Sequence, residues 1–400
     1  TYGDFSAGVL PGLLSHYYNM INNTITSYEY YALDSAASWN HAINFNSIRG
    51  YSNTFDAIRL AAGNFTGNNI STNGSSAYGL TISTSLHSYF WNNSFNTTNA
   101  PFYFDPNVDY SNYNHTIDTT NTYQEESIYY LFENYSDIIE NTENISFLAI
   151  INSSNINVTN VTFDKQGIKL IVTDNIIIEN SSVLGLPKVS ISILNTSYAI
   201  IRNNNISNSG ESGVNVTKSS NNNFESNYLF NNSIGYYIGE NSQNNNFTNE
   251  QIINHSRGIL IDALVTTISD NTFENPTFQD NTFDVYIENT VGSISFVNYT
   301  VNTSKFIVND LMQVFYKWYV DVNVTDTSQN ALANATVKAY NSIGDLEDTI
   351  LTNSSGLSRL KITEYYTYNN VLKLFFYFII IFNFLFISNF FDCKFLSTIT

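Results

Sequence analysis

"NNNFESNYLFNNSIGYYIGENSQNNNFTNE" fills residues 221–250 and says nearly the same thing twice, Asn-Asn-Asn-Phe at 221–224 and again at 244–247. A second landmark keeps the same step. Gly213, Gly235 and Gly258 each precede an apolar-x-apolar triplet, at steps of 22 and 23, and Gly167 opens a similar triplet two steps before Gly213. Ile178, Ile201, Phe224, Phe247 and Ile268 follow at steps of 23, 23, 23 and 21, and each has an apolar residue five positions on, at Val183, Ile206, Leu229, Ile252 and Phe273. Two landmarks in phase define a repeat.

The triplets alternate with period two, as short strands with one buried face do, and no window keeps helical spacing over three turns. Asn and Gly stand between them, the residues that tolerate left-handed backbone at tight corners. Strands of three to five residues with about 23 residues per repeat fit one coil of a right-handed parallel β-helix. Leucine-rich repeats need a leucine consensus that is absent, and ankyrin or tetratricopeptide repeats need helices. In such a solenoid each residue lies over its counterpart one coil away, about 4.8 Å along the axis. The spacing therefore predicts one interior column of Ile201, Phe224, Phe247 and Ile268, and an amide ladder of Asn204, Asn227 and Asn271 interrupted by Glu250.

The repeat continues upstream less cleanly, through Ala57–Leu60, Asn64–Ile70, Gly79–Ile82 and Tyr89–Phe95, and turns irregular at about 100–140, where enlarged coils or a long loop are expected. The chain has 400 residues, 43% of them hydrophobic and 15% aromatic, enough for a substantial core. With 34 acidic against 15 basic residues the net charge is -19, which argues against nucleic acid as a partner. The single cysteine, Cys393, permits no internal disulfide or thiolate cluster. Thr1 opens the sequence without an initiator Met or a leader, which reads as a fragment.

Residues 114–180, "NHTIDTTNTYQEESIYYLFENYSDIIENTENISFLAIINSSNINVTNVTFDKQGIKLIVTDNIIIEN", resemble archaeal cell-surface proteins built from NosD-like parallel β-helix repeats, and the resemblance runs from about 20 to 300. It implies the architecture more than any activity. That family commonly has Gly-Lys-Pro before the Ile-Tyr-Tyr-Leu segment, whereas Tyr123–Ser127 here reads Tyr-Gln-Glu-Glu-Ser, so nothing carries over at that corner. The name comes from a copper-enzyme maturation protein, and one Cys, two Met and five His fit copper delivery poorly.

Beyond the solenoid, expected over 17–316, the language changes. Trp318–Val324, Ala335–Tyr340 and Leu360–Thr363 alternate like strands, and 317–370 is similar to the Ig-like, carboxypeptidase-regulatory-like β-sandwiches. The span is short for about seven strands, so the domain is either incomplete or shares strands with its neighbour. Leu374 to Phe391 then runs 18 residues without a charge. The segment 371–392 reads as a membrane anchor or as a truncated tail, with Asn383, Ser388 and Asn389 weakening the first reading.

Asn-x-Ser/Thr sequons at Asn64, Asn92, Asn144, Asn157, Asn180, Asn205, Asn246, Asn298 and Asn334 could accept glycans on an exported chain. For catalysis, the best carboxylate pair is Asp262 and Glu288, each fourth after the landmark position on adjacent coils, with His255 and Arg257 at the preceding corner. Such a pair is either a solvated surface feature, a Ca²⁺ site, or half of a polysaccharide-cleaving centre. His16, His41, His87, His115 and His255 lack metal-ligand spacing, and no cofactor beyond Ca²⁺ is expected. The reading is a non-enzymatic, extracellular, adhesin-like surface protein that binds glycans or envelope components. The rival is a polysaccharide lyase or hydrolase on the same scaffold, favoured by a groove lined with three acidic residues and a basic one.

Overall fold

The computed structural model describes residues 19–28, 31–34, 41–52, 56–59, 63–74, 77–82, 87–104, 109–143, 145–263, 266–308, 311–341, 343–368, 371–374, 377–382 and 394–395. Short strands stack in parallel, one coil over the next, into a right-handed β-helix of about 12 turns. Among the described residues the one helical element is a single 3-10 turn, Tyr110–Tyr113.

The doubled asparagines have two separate jobs. In Asn203-Asn204, Asn221-Asn222, Asn231-Asn232 and Asn244-Asn245, the first residue takes φ between 53° and 59° and turns the chain at a corner. The second buries its side chain and ties two coils together. Asn222 donates both its backbone N–H, at 3.0 Å, and its side-chain amide, at 3.0 Å, to the Asn245 carbonyl oxygen, and Asn245 repeats this on Asn271 at 3.0 and 2.9 Å. Each ladder amide also reaches a backbone carbonyl of the coil behind, as Asn204 does to Ile178 at 2.9 Å. Corner carbonyls and amides that would otherwise be buried without partners are thus satisfied.

Inside, Ile201, Phe224 and Phe247 pair in register as the repeat requires. The next member is Phe273, in place of the expected Ile268. The coil lengthens here: the ladder step is 23 from Asn222 to Asn245 but 26 from Asn245 to Asn271. The extra length enters at the corner after Asp262. Phe278, rather than Phe273, accordingly stands over Ile252. The phenyl rings of Phe224, Phe247 and Phe273 stack at 4.5 and 4.2 Å with planes 6° apart, a spacing close to the coil rise. The Gly landmark is steric: a Cβ on Gly235 would stand 2.4 Å from the Gly258 carbonyl oxygen of the next coil.

Two expectations for the ladders change as well. Asn271 belongs with Asn222 and Asn245, in a different row from Asn204 and Asn227. Glu250 does not interrupt the Asn204–Asn227 row but continues it, its carboxylate accepting the Asn227 side-chain amide at 3.1 Å and backbone N–H at 3.3 Å.

The irregular stretch contains a reversal. Thr122–Tyr123 and Glu126–Phe132 pair antiparallel through Gln124 and Glu125, with φ of 47° and 74°, a primed two-residue hairpin. Both strands lie in one continuous 14-stranded sheet, so strand direction flips at the hairpin, and the core changes side with it. The described residues between 19 and 123 enclose a core on one face that includes Ile48, Phe65, Phe95 and Tyr123. Residues from 126 enclose a second on the opposite face, with Leu170, Ile193, Val216 and Phe224. Since direction and core side reverse together, both coils keep the same right-handed sense. Strand Ile145–Ile151 serves both and is buried throughout, with Leu148 and Ile150 in one core and Phe147, Ala149 and Ile151 in the other.

The C-terminal unit grows out of the solenoid. Strand Met312–Asn323 runs parallel to Val291–Val297 at its start and antiparallel to Leu357–Tyr368 along its length, so the two units share a strand. A small core of Val322, Val324, Ala335, Val337, Ala339 and Leu360 lies between this sheet and a three-stranded one. Of the apolar segment 371–392, Val371–Leu374 and Tyr377–Phe382 form antiparallel strands with Leu357–Tyr368 and Thr336–Asn341. No helix among the described residues is long and apolar enough to cross a membrane. Cys393 lies outside the described residues.

The hairpin is a poorly adapted corner, since Gln124 and Glu125 both hold positive φ, where Asn-Gly is the preferred pair. Gln124→Asn with Glu125→Gly is expected to stabilise the chain by about 1 kcal/mol, read as a higher denaturation midpoint. A lower midpoint would contradict a primed hairpin here.

Candidate functional site

The outward face of the 14-stranded sheet carries the residues with chemistry. One row runs along the solenoid axis through Lys169, Ser192, Asn215, Tyr237, Leu260 and Tyr286, each paired with the next in register. All are half-buried except Leu260, which is 4% exposed although it points away from the core. It is held between Tyr237 and Tyr286, its in-register neighbours on the two adjacent strands. The guanidinium of Arg257 sits 4.6 Å over the Tyr286 ring, a cation–π contact, and Phe283 meets the same ring edge-on at 5.5 Å.

Asp262 and Glu288 lie beside this row, paired with each other on adjacent strands and both half-buried. Asp262 accepts a hydrogen bond from the Asn289 amide at 3.3 Å, and its backbone carbonyl accepts the Tyr237 hydroxyl at 3.0 Å. Burial raises the Tyr237 phenol above its ordinary pKa, and the negative charges of Asp262, Glu240 and Glu288 raise it further. The charges of Asp262, Glu240 and Glu288 thus act on one phenol, and the Lys218 ammonium lies 3.6 Å from Glu240. Among the described residues no group of three His, Cys, Asp or Glu side chains is arranged to hold a metal ion.

The two basic residues read beside the pair divide. Arg257 joins the face. His255 turns inward as a ladder member, 3% exposed, its Nδ1 accepting the Asn232 backbone N–H at 3.1 Å and its Nε2 donating to the Leu229 carbonyl at 3.2 Å. Burial lowers its pKa, so it stays neutral as a stand-in for asparagine. His115 is likewise buried, its pKa pushed down to about 3 by desolvation. His87 is fixed between Asn114 at 2.9 Å and Thr116 at 3.2 Å. His16 lies outside the described residues.

The sequons avoid the buried ladders. Asn64, Asn92, Asn180, Asn205, Asn298 and Asn334 are exposed, Asn157 and Asn246 are half-buried, and Asn144 lies outside the described residues. Sequence reasoning missed the interior acid. Glu250 is fully buried and accepts a hydrogen bond from the Tyr236 hydroxyl within the core. The available signal was the Asn249-Glu250 dipeptide in the place of a corner-and-ladder Asn pair.

Residues 146–306 match the family described as right handed beta helix region. No curated protein matches the sequence. Among solved structures, the A-module of the mannuronan C-5 epimerase AlgE6 of Azotobacter vinelandii aligns at 11% identity and a TM-score of 0.31, covering 68% of this chain and 90% of that one. The periplasmic alginate epimerase AlgG aligns at 10% identity and 0.30, covering 74% and 77%. A tailspike protein of the E. coli bacteriophage HK620 aligns at 10% and 0.27, covering 91% and 74%.

Glu250 gives a pH signature. Desolvation raises its pKa from 4.5 to about 8, against the smaller opposing effect of its hydrogen bonds. Between those values the native state holds a proton that the unfolded chain has released, so stability falls as pH rises, by at most about 1.4 kcal/mol per unit. Below about 4.5 both states are protonated and the slope vanishes. Glu250→Gln keeps an oxygen for Asn227 and should flatten this slope, stabilising the protein above neutral pH. Identical melting-temperature profiles for variant and parent between pH 5 and 8 would contradict it.

Proposed function

We propose that this chain is a non-enzymatic, extracellular surface protein that binds glycans along the outward face of its 14-stranded sheet. One observation carries the reading: Tyr237 and Tyr286 frame an outward Leu260 in a row whose other members are amide, hydroxyl and charged groups. Sugar rings offer apolar C–H faces and hydroxyl edges together, and half-buried aromatic faces beside Asn and Ser donors match both. The row advances by about 4.8 Å per strand, so an extended glycan lying along the axis meets one residue of the row at each coil. Exposed sequons at Asn180, Asn205 and Asn298 support an exported chain.

A second reading rests on Asp262 and Glu288, paired on adjacent strands, since paired carboxylates are what a cleaving enzyme or a Ca²⁺ site would use. Two double variants separate the readings. Tyr237→Ala with Tyr286→Ala should weaken glycan retention about tenfold or more, while the melting temperature stays within a few degrees. Asp262→Asn with Glu288→Gln should leave retention intact and stability level or slightly higher, as like charges are removed. Reducing-sugar release, or stabilisation by millimolar Ca²⁺, that is present in the parent and lost in that double variant would replace the binding reading.

A further inference from the structure

The N-terminal solenoid packs on the same side of the shared sheet as the outward row, so the row begins in a crease between the two coils. Lys169 stands there. Its neighbours on the strand, Ile168 and Leu170, enter the core shared with Ile193, Val216 and Phe224, while Lys169 itself points toward the end of the N-terminal solenoid, where its ammonium lies 5.9 Å from the centre of the Phe104 ring. The Gln166 side chain closes one side of the crease by donating to the Asn99 carbonyl. Lys188 and Glu211, paired at 2.6 Å, stand on the other, close enough to Tyr78 to act on its phenol.

Among the described residues no carboxylate lies within ion-pair distance of the Lys169 ammonium. Burial lowers its pKa, and the acid that acts on it among the described residues, Glu211, is engaged by Lys188. Among the described residues a ring is the group this half-buried cation faces, and burying a cation costs stability unless an anion joins it. The remainder of the row is graded in charge. Ser192 and Asn215 are neutral, and the carboxylate of Asp262 comes four strands on from Lys169, roughly 19 Å away.

We propose that the crease is an acidic-sugar subsite in which Lys169 binds the carboxylate of a uronate-class unit, while neutral units of the same glycan extend along Ser192, Asn215 and Tyr237. The assignment rests on the glycan reading of the outward face and narrows it to chains with sparse charge. A glycan carrying a carboxylate on every unit would bring one against Asp262 and Glu288, where like charges repel.

Three hexasaccharides test this by isothermal titration at low salt: one with a single glucuronate unit, its carboxyl-reduced neutral counterpart, and one composed wholly of uronate. The parent protein should bind the first about tenfold or more tightly than either of the others. Lys169→Gln should lose that factor on the singly charged chain, so that the charged and neutral chains bind alike, and melt at the same or a higher temperature, since a half-buried charge is removed. The comparison of the first two sugars on the parent needs no variant, so a folding defect cannot obscure it. Equal binding of the charged and neutral chains, with both lost in Tyr237→Ala, would overturn the acidic subsite and leave the glycan reading standing. No binding of any of the three would overturn both.

Discussion

Every coil of this molecule must present the same kind of residue at the same place as the coil beneath it, because its strands pair only with those directly above and below. The doubled asparagine meets that constraint twice in two residues. The first bends the backbone at positive φ, and the second donates to the coil above and to a carbonyl of the coil behind. Substitutions in the buried row are tolerated when they conserve the acceptor. Glu250 offers an oxygen to Asn227, and His255 offers a ring nitrogen to Asn232, each where an asparagine oxygen would otherwise stand. A narrow core then assembles from whatever apolar residues the register stacks, and Phe224, Phe247 and Phe273 do so as parallel rings.

The hairpin at Gln124-Glu125 changes what the solenoid can do. A uniform coil has one inside and an outer surface of similar character all round. Here the 14-stranded sheet has a core on each face along different parts of its length, and strand Ile145–Ile151 belongs to both. Aromatic residues seal the join: Phe102, Phe104, Tyr130 and Phe147 pack at 6.0 to 6.4 Å, and the Tyr130 hydroxyl reaches the Tyr113 carbonyl at 2.6 Å. The same join turns an open sheet face into a walled one, with Lys169 at its base and Tyr237 and Tyr286 farther along.

Much of this is legible in the residues, and the misses have local causes. Period two, left-handed corners and a constant repeat step are enough to place Ile201, Phe224 and Phe247 in one column. Ile268 is misplaced because it and Phe273 are both apolar and five apart, so a coil that lengthens at that point offers either as the next member. Glu250 reads as an interruption because charge suggests solvent; its raised pKa shows the core accepting the protonated acid instead. The reversal leaves little trace, since Gln124-Glu125 has neither Asn nor Gly at a turn that usually requires them. Asp262 and Glu288 fall on adjacent strands, as their spacing implies. Their neighbours Tyr237, Leu260 and Tyr286 cannot be recognised as a face until the position of the N-terminal core is known.

One strand with two buried faces joins the two halves of the molecule, and native-state hydrogen exchange reads that directly. The amides of Ile145–Ile151 should be among the slowest in the chain, exchanging only when the strands on both sides of the hairpin open together. They should be far slower than those of Leu346–Leu351, a strand with no fully buried residue. If residues 145–151 instead exchange as fast as that strand, with the 19–123 coils opening separately, the two solenoids do not share a core strand and the crease at Lys169 does not exist.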